Sequence, residues 1–339
     1  MPPTQVLMRA AALALSAPLA LVAVSALSRI GHRLPDLLTQ FTAPALVAAV
    51  ALCGVFLLGR LWGMAALGAG VAGLLLLAVW PQWTPERGRA VGPESLTLYS
   101  ANLWARNDDV DAIARSIAQA DADVVMLIEL GDAPAARLDT ILAAYPHRIS
   151  TPRKDRPSGA ARSVIASRRP LKKLPDAEGQ GLAALAVQAE TSLGPISLVA
   201  VHLTRPWPFQ HPYGQISQAR RLAGLRAGLD GPVVVAGDFN SVSSGRIGCQ
   251  IRAETGLIPA PAWPGTWPTV LPSVLGVAID HVWRSPDLAL VERRLGAKTG
   301  SDHRPVIVRL KRAEAQAPSA APRGRGRGSR RRSSLPRRP

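Results

Sequence analysis

The chain has 339 residues, 47% of them hydrophobic, and a formal charge of +17. Lys and Arg outnumber Asp and Glu by 6 to 2 over residues 1–93, by 26 to 20 over 94–312 and by 8 to 1 over 313–339, so much of the basicity lies outside the central region. The only two cysteines, Cys53 and Cys249, exclude a disulfide framework and a cysteine-based zinc site.

Residues 10–28, 37–59 and 61–80 contain no charged side chain. Each is about as long as the ~20 residues a helix needs to cross the ~30 Å hydrocarbon layer. Three transmembrane helices, at about 8–29, 37–59 and 61–80, are the simplest expectation for residues 1–85. Arg60, between Gly59 and Leu61, interrupts an apolar stretch too long for one crossing, which predicts a tight hairpin there. Trp80 and Trp83 then mark the exit as interfacial anchors. A secretory signal is the alternative for the first span, although its apolar run exceeds the usual signal core and two more spans follow. The arginines flanking the spans leave both topologies open.

A Pro/Gly/Arg linker is expected over 86–95, ahead of a folded domain at 96–312. Its first strand is Leu96 to Asn102, followed by a helix with Val110, Ile113, Ala114 and Ile117 at helical spacing behind Asn107-Asp108-Asp109. Asp123 to Glu129 reads as a buried strand ending in an acid. Further strands are expected near 161–167, 182–189, 195–203, 232–236, 277–284, 288–294 and 303–309, with helices near 133–144 and 215–229. So many strands beside few helices point to two packed sheets covered by helices, not to a doubly wound parallel sheet. Residues 313–339, ending in Arg-Gly repeats and arginine runs, cannot bury a core and read as a disordered tail.

Polar residues cluster at the strand ends. Gly237-Asp238-Phe239-Asn240 leaves the apolar run 233–236, Ile279-Asp280-His281-Val282 and Ser301-Asp302-His303 sit at strand edges, and His202 closes the run 198–201. With Asn102 and Glu129 these form an oxygen-rich set with imidazoles, suited to Mg²⁺ or Mn²⁺ and to phosphoryl chemistry. Taken singly, each has a plain structural reading: Asn102 and Asp238-Phe239-Asn240 as turn residues, Glu129 as a solvated strand end, His202 as a core or site residue. His281 points to the face opposite Asp280 and reads as packing or surface; His147 and His211 read as surface.

In this order and spacing, Asn102, Glu129, His202, Gly237-Asp238-Phe239-Asn240, Asp280 and Ser301-Asp302-His303 resemble the endonuclease/exonuclease/phosphatase superfamily over residues 96–310. Ser158-Gly159-Ala160 through Ser167-Arg168 and Thr266-Trp267-Pro268 add similar phrases. The resemblance implies a four-layer α/β sandwich and metal-dependent hydrolysis of a phosphoester by in-line attack of water. By the same resemblance Glu129 is the principal metal ligand with Asn102 beside it and Asp302 contributing. His303 is the general base oriented by Asp280, Asp238 and Asn240 position water and phosphate, and His202 donates to a non-bridging oxygen or assists the leaving group. In some members the residue matching Asp238 is the base instead. Ile128 stands where many relatives carry Gln.

The substrate is left between classes. A membrane-tethered phosphoesterase acting on lipid headgroups or small phosphate esters follows from the apolar spans. A nuclease follows from the positive domain and from the Arg-rich tail, which suits nucleic acid or anionic lipid, whereas the basic rim of Arg153-Lys154-Asp155-Arg156 with Lys172 and Lys173 fits either class, since any phosphate substrate attracts it. Trp207, Phe209 and Tyr213 read as a stacking platform, an apolar lip or an ordinary packed loop. A non-catalytic membrane scaffold would require loss of site residues, and none is lost.

Overall fold

The computed structural model describes residues 3–28, 30, 32–151, 162–175, 181–206 and 213–314. The segments Arg153 to Arg156 and Ser158 to Ala160, together with Trp207, Phe209, His211 and the Arg-rich tail, lie outside the described residues.

The apolar amino-terminal region forms α1 (Pro3–Ser28), α2 (Arg33–Thr39), α3 (Thr42–Leu58) and α4 (Trp62–Trp83). Two stretches, Val6–Ser28 and Trp62–Trp83, are long and apolar enough to cross a membrane. The span expected at 37–59 is corrected: the helix breaks at Gln40 and Phe41, leaving α3 with 17 residues. At 1.5 Å per residue that is about 26 Å, just short of the ~30 Å hydrocarbon layer. The expected hairpin is present. Gly59, Arg60 and Leu61 donate back to Val55, Leu57 and Phe56, and Arg60 takes a left-handed φ of 56°. Small residues let the helices close up: Ala23, Ala45 and Ala49 meet Val71, Leu75 and Val79 in one cluster. The outward faces stay apolar and exposed, with Leu21, Val55, Leu58 and Leu77 among them.

No long linker follows. Strand β1 (Ala90–Asn102) begins inside the stretch expected as a linker, pairing Ala90 and Val91 with Ala313 and Arg312 before a register shift. The chain continues through α5 (Val110–Ala120), β2 (Val124–Ile128), α6 (Asp132–Ala136), α7 (Leu138–Ile141), β3 (His147–Ser150), β4 (Val164–Ser167), β5 (Leu171–Lys173), β6 (Ala183–Ala189), β7 (Ile196–His202), α8 (Tyr213–Ala227), β8 (Val233–Asp238), α9 (Arg246–Thr255), β9 (Ile258–Pro259), β10 (Asp280–Arg284), β11 (Leu288–Leu295) and β12 (Val306–Ala313). The helix expected over 133–144 is split in two, because Arg137 leaves the helical region at φ −117°.

Two six-stranded sheets result, in the orders β11-β12-β1-β2-β4-β3 and β5-β6-β7-β8-β10-β9. Among the described residues only β1/β2 and β7/β8 pair in parallel. The two sheets bury a shared apolar layer containing Leu98, Met126, Leu198, Val234 and Val308. The outer face of the first sheet is covered by Ile113 and Ile117 of α5, and that of the second by Ala219 and Leu222 of α8 with Ile247 and Ile251 of α9. These are the four layers of the expected α/β sandwich.

The helical bundle meets the sandwich beside the second sheet. Buried Gln40 accepts a 2.8 Å hydrogen bond from the backbone N–H of Val242, Ala262 N–H donates to Gln82 O at 2.8 Å, and the Trp83 and Trp263 rings lie 5.9 Å apart.

At Gly237 the backbone has φ 144°, and a Cβ there would lie 2.0 Å from the carbonyl oxygen of Val201 on the neighbouring strand. Gly237→Ala is therefore expected to cost at least about 3 kcal/mol, seen as a lowered chemical-denaturation midpoint. Gln40→Leu strands the buried Val242 N–H and is expected to cost about 1–3 kcal/mol in the full chain.

Candidate functional site

Register assembles the site. In the parallel pair β7/β8 His202 stands opposite Asp238, and in the antiparallel pair β8/β10 Asp238 stands opposite Asp280. Asn102 ends β1, and Glu129 follows the last residue of the adjacent β2. Among the described residues five non-glycine positions have positive φ, and three of them, Trp104, Glu129 and Asn240, turn the chain at this rim. The strand ends thus open a cleft of about 640 Å³, lined by Glu129, His202, Asp238, Asn240, Asp302 and His303, among others.

Within the cleft Asn102 Nδ2 donates to Glu129 Oε1 at 3.2 Å and to Asp238 Oδ2 at 3.1 Å. Its Oδ1 accepts from Trp104 N–H at 2.9 Å, so the amide nitrogen, not the oxygen, faces the carboxylates. His202 Nε2 lies 3.1 Å from Glu129 Oε1 and 3.8 Å from Asp238 Oδ2. Asp238 Oδ1 accepts from Asn240 N–H at 2.7 Å, and Asn240 Nδ2 donates to Leu203 O at 2.8 Å. His303 Nδ1 meets Asp280 Oδ2 at 2.9 Å, leaving Nε2 aimed at Asp238 Oδ2, 3.9 Å away, and at Asp302 Oδ1, 3.8 Å away.

Burial drives the Asp238 carboxyl up to about 6, with Asp280 adding repulsion and His303 opposing both. Burial alone would lower His303, but attraction to Asp280, reinforced by their hydrogen bond and by Asp238 and Asp302, pushes it up to about 10. The surrounding carboxylates thus favour the charged imidazolium form of His303.

Supporting contacts account for residues that the motifs contained without a role. Ser301 Oγ donates to Asn102 O at 2.8 Å and accepts from His303 N–H at 3.1 Å, tying two site residues together. Thr266 Oγ1 accepts from the N–H groups of Ile279 and Asp280 at 3.3 Å, and Trp267 Nε1 donates to Asp302 Oδ2 at 3.1 Å. Gln215, on α8, donates to the carbonyls of Phe239 and Asn240 at 3.2 Å, and nothing in its sequence surroundings marks it. His281 is a packing residue, buried against Phe239 and Trp283 with Nε2 2.9 Å from Ser241 O. Ile128 is core. His147 is half-buried on β3, away from the cleft.

The donor chemistry fits a divalent cation. Glu129, His202 and Asp238 each bring a ligand atom within 4.8 Å of the others, and Asp238, Asp280 and His303 form a second such group. Asp302 Oδ1, a buried atom at the cleft, has no hydrogen-bond partner. An oxygen-rich set of this kind suits a hard ion such as Mg²⁺ or Mn²⁺.

The profile of the Endonuclease/Exonuclease/phosphatase family matches residues 99–303. The chain belongs to this family. Its members are hydrolases acting on phosphoester bonds, and this chain is an enzyme of that class. Solved structures agree on the fold. An endonuclease/exonuclease/phosphatase from Bacteroides vulgatus is 16% identical, with a TM-score of 0.53 over 65% of this chain and 99% of that one. A family protein from Bacteroides thetaiotaomicron is 18% identical, with a TM-score of 0.50 over 65% and 98%. Humanized D. rerio TDP2 is also 18% identical, with a TM-score of 0.50 over 64% and 99%. No curated protein matches the chain significantly. All six cleft-lining site residues named above, from Glu129 to His303, fall inside the family match.

The raised His303 gives a pH prediction. Its charge stabilises the fold fully below its ordinary value of 6.5, and that contribution is lost as pH rises through about 10. In EDTA, the wild-type denaturation midpoint is expected to fall more between those two pH values than that of His303→Gln.

Proposed function

We propose that this protein is a membrane-anchored, divalent-metal-dependent phosphoesterase that hydrolyses a phosphodiester or phosphomonoester by in-line attack of water. The observation that carries the reading is the His303–Asp280 pair, in which the histidine's Nε2 points into the same cleft as Glu129, His202 and Asp238. Glu129 and Asp302 would hold Mg²⁺ or Mn²⁺; Asn102 would join them if its amide turned its oxygen inward, and otherwise it steadies Glu129 and Asp238. Such a cation, when bound, neutralises charge developing on the phosphoryl oxygens and, by offsetting the carboxylates, lets His303 release its second proton.

The chain's own residues do the remainder. Asp280 accepts a hydrogen bond from the Nδ1–H of His303, fixing the tautomer whose Nε2 takes a proton from the attacking water. Asp238 and Asn240, locked to each other, orient that water and the phosphate. His202 donates to a non-bridging oxygen or to the leaving group. Arg106 and Arg205, exposed on the rim, attract an anionic substrate.

Membrane anchoring is supported by α1 and α4, whose apolar surfaces are largely exposed. The shorter, apolar α3 packs between them in the same bundle. A second reading, a membrane-tethered nuclease, draws on exposed Trp104 beside Arg106, a ring and a cation suited to a base and its phosphate.

The test offers the full chain phospholipid vesicles, plasmid DNA and RNA with Mg²⁺, Mn²⁺ or EDTA. Glu129→Gln, Asp238→Asn and His303→Gln are each expected to lower hydrolysis by at least about 10²-fold while the chain stays folded. Wild-type rates in all three variants, or unchanged activity in EDTA, would sink the mechanism, and silence on every substrate would favour a scaffold. Cleavage of nucleic acid alone selects the nuclease reading.

A further inference from the structure

From residue 84 onward, six large apolar side chains among the described residues are exposed: Val91, Trp104, Trp263, Val270, Leu271 and Val274. Four of the six fall in one loop of twelve residues, and Val270 is 85% exposed. The loop is firmly held from below. Thr269 N–H and Oγ1 donate to the carbonyls of Asp302 and Ser301, each at 2.9 Å, and Gly265 N–H donates to Ser273 O at 2.8 Å. Its apolar exposure is therefore a built feature of the fold, of the kind that marks an interaction site.

Its neighbours indicate the partner. A groove of about 530 Å³ runs between the loop and the helical bundle, lined by Val47, Val50, Trp83, Trp263 and Val274, with Arg87 as its cation. On α3 the groove is lined from Leu46 to Val50, four to eight residues beyond Thr42 and so roughly 6–12 Å into an apolar helix. A surface level with that part of α3 shares whatever medium surrounds α3. Tryptophans at the edge, an apolar groove and one arginine match a lipid: acyl chain against the valines, phosphate at the guanidinium.

We propose that the 263–274 loop is a membrane-contacting surface, with its exposed side chains among acyl chains and a phospholipid seated in the groove against Arg87. This rests on the membrane-anchored reading. Trp267, in the same loop, lines the catalytic cleft and donates to Asp302, so lipid contact brings the cleft to the headgroup layer.

The experiment reconstitutes the full chain in nanodiscs of phosphatidylcholine and phosphatidylglycerol bearing a photoreactive group on the acyl chain, and maps adducts by peptide mass spectrometry. Adducts are expected on α1, α3, α4 and residues 263–274. The double variant Val270→Asp/Leu271→Asp, altered only at exposed positions, is expected to lower loop adducts about tenfold with helix adducts unchanged. Labelled helices with an unlabelled loop overturn the inference and leave the anchoring intact. A loop that instead cross-links to a second copy overturns it as well. Unlabelled helices overturn the anchoring, and the inference with it.

Discussion

Two buried carboxylates facing each other across a strand pair set the terms for the rest of the site. Asp238 and Asp280 are cross-strand partners at the ends of β8 and β10, both almost fully buried, where like charges repel and solvent cannot screen them. His303 answers this repulsion by hydrogen-bonding one carboxylate and facing the other. Asn102 and Asn240 supply the remaining donors to Asp238. Any function of the cleft begins from this balance, because moving one charge changes the field at the others.

The candidate site was legible because strand periodicity places residues at a shared edge. Runs such as 233–236 leave no choice of burial, so whatever follows them emerges at the sheet's rim, and Asp238, Glu129 and His202 all do. The opposite orientations of Asp280 and His281 follow from the same alternation. What the sequence concealed are contacts without local signature. Gln215 reaches its carbonyls from a different element, and Ser301 acquires its bridging role only when β1 and the 301–303 turn are neighbours. Short edge strands β3, β5 and β9 are too brief to show a period, and α9 presents few apolar positions.

The amino-terminal region shows the limit of hydropathy as a guide. An uncharged stretch over 37–59 looks like one span, yet Gln40 sits within it as a buried polar group whose backbone belongs to neither α2 nor α3. Its partner, Val242 N–H, lies 202 residues away on the sandwich. A break that appears arbitrary along the chain is thus explained by tertiary structure: the helix stops where a side chain must leave the bundle to meet the sandwich.

That same hydrogen bond carries a warning for anyone simplifying the protein. Val242 lies two residues beyond Asn240, and Trp263 rests on Trp83, so excising the bundle would unpair a buried amide next to the turn at the cleft and bare an indole. Weak turnover by a trimmed, soluble fragment would then report a loosened turn. It would say little about the chemistry of which the intact chain is capable.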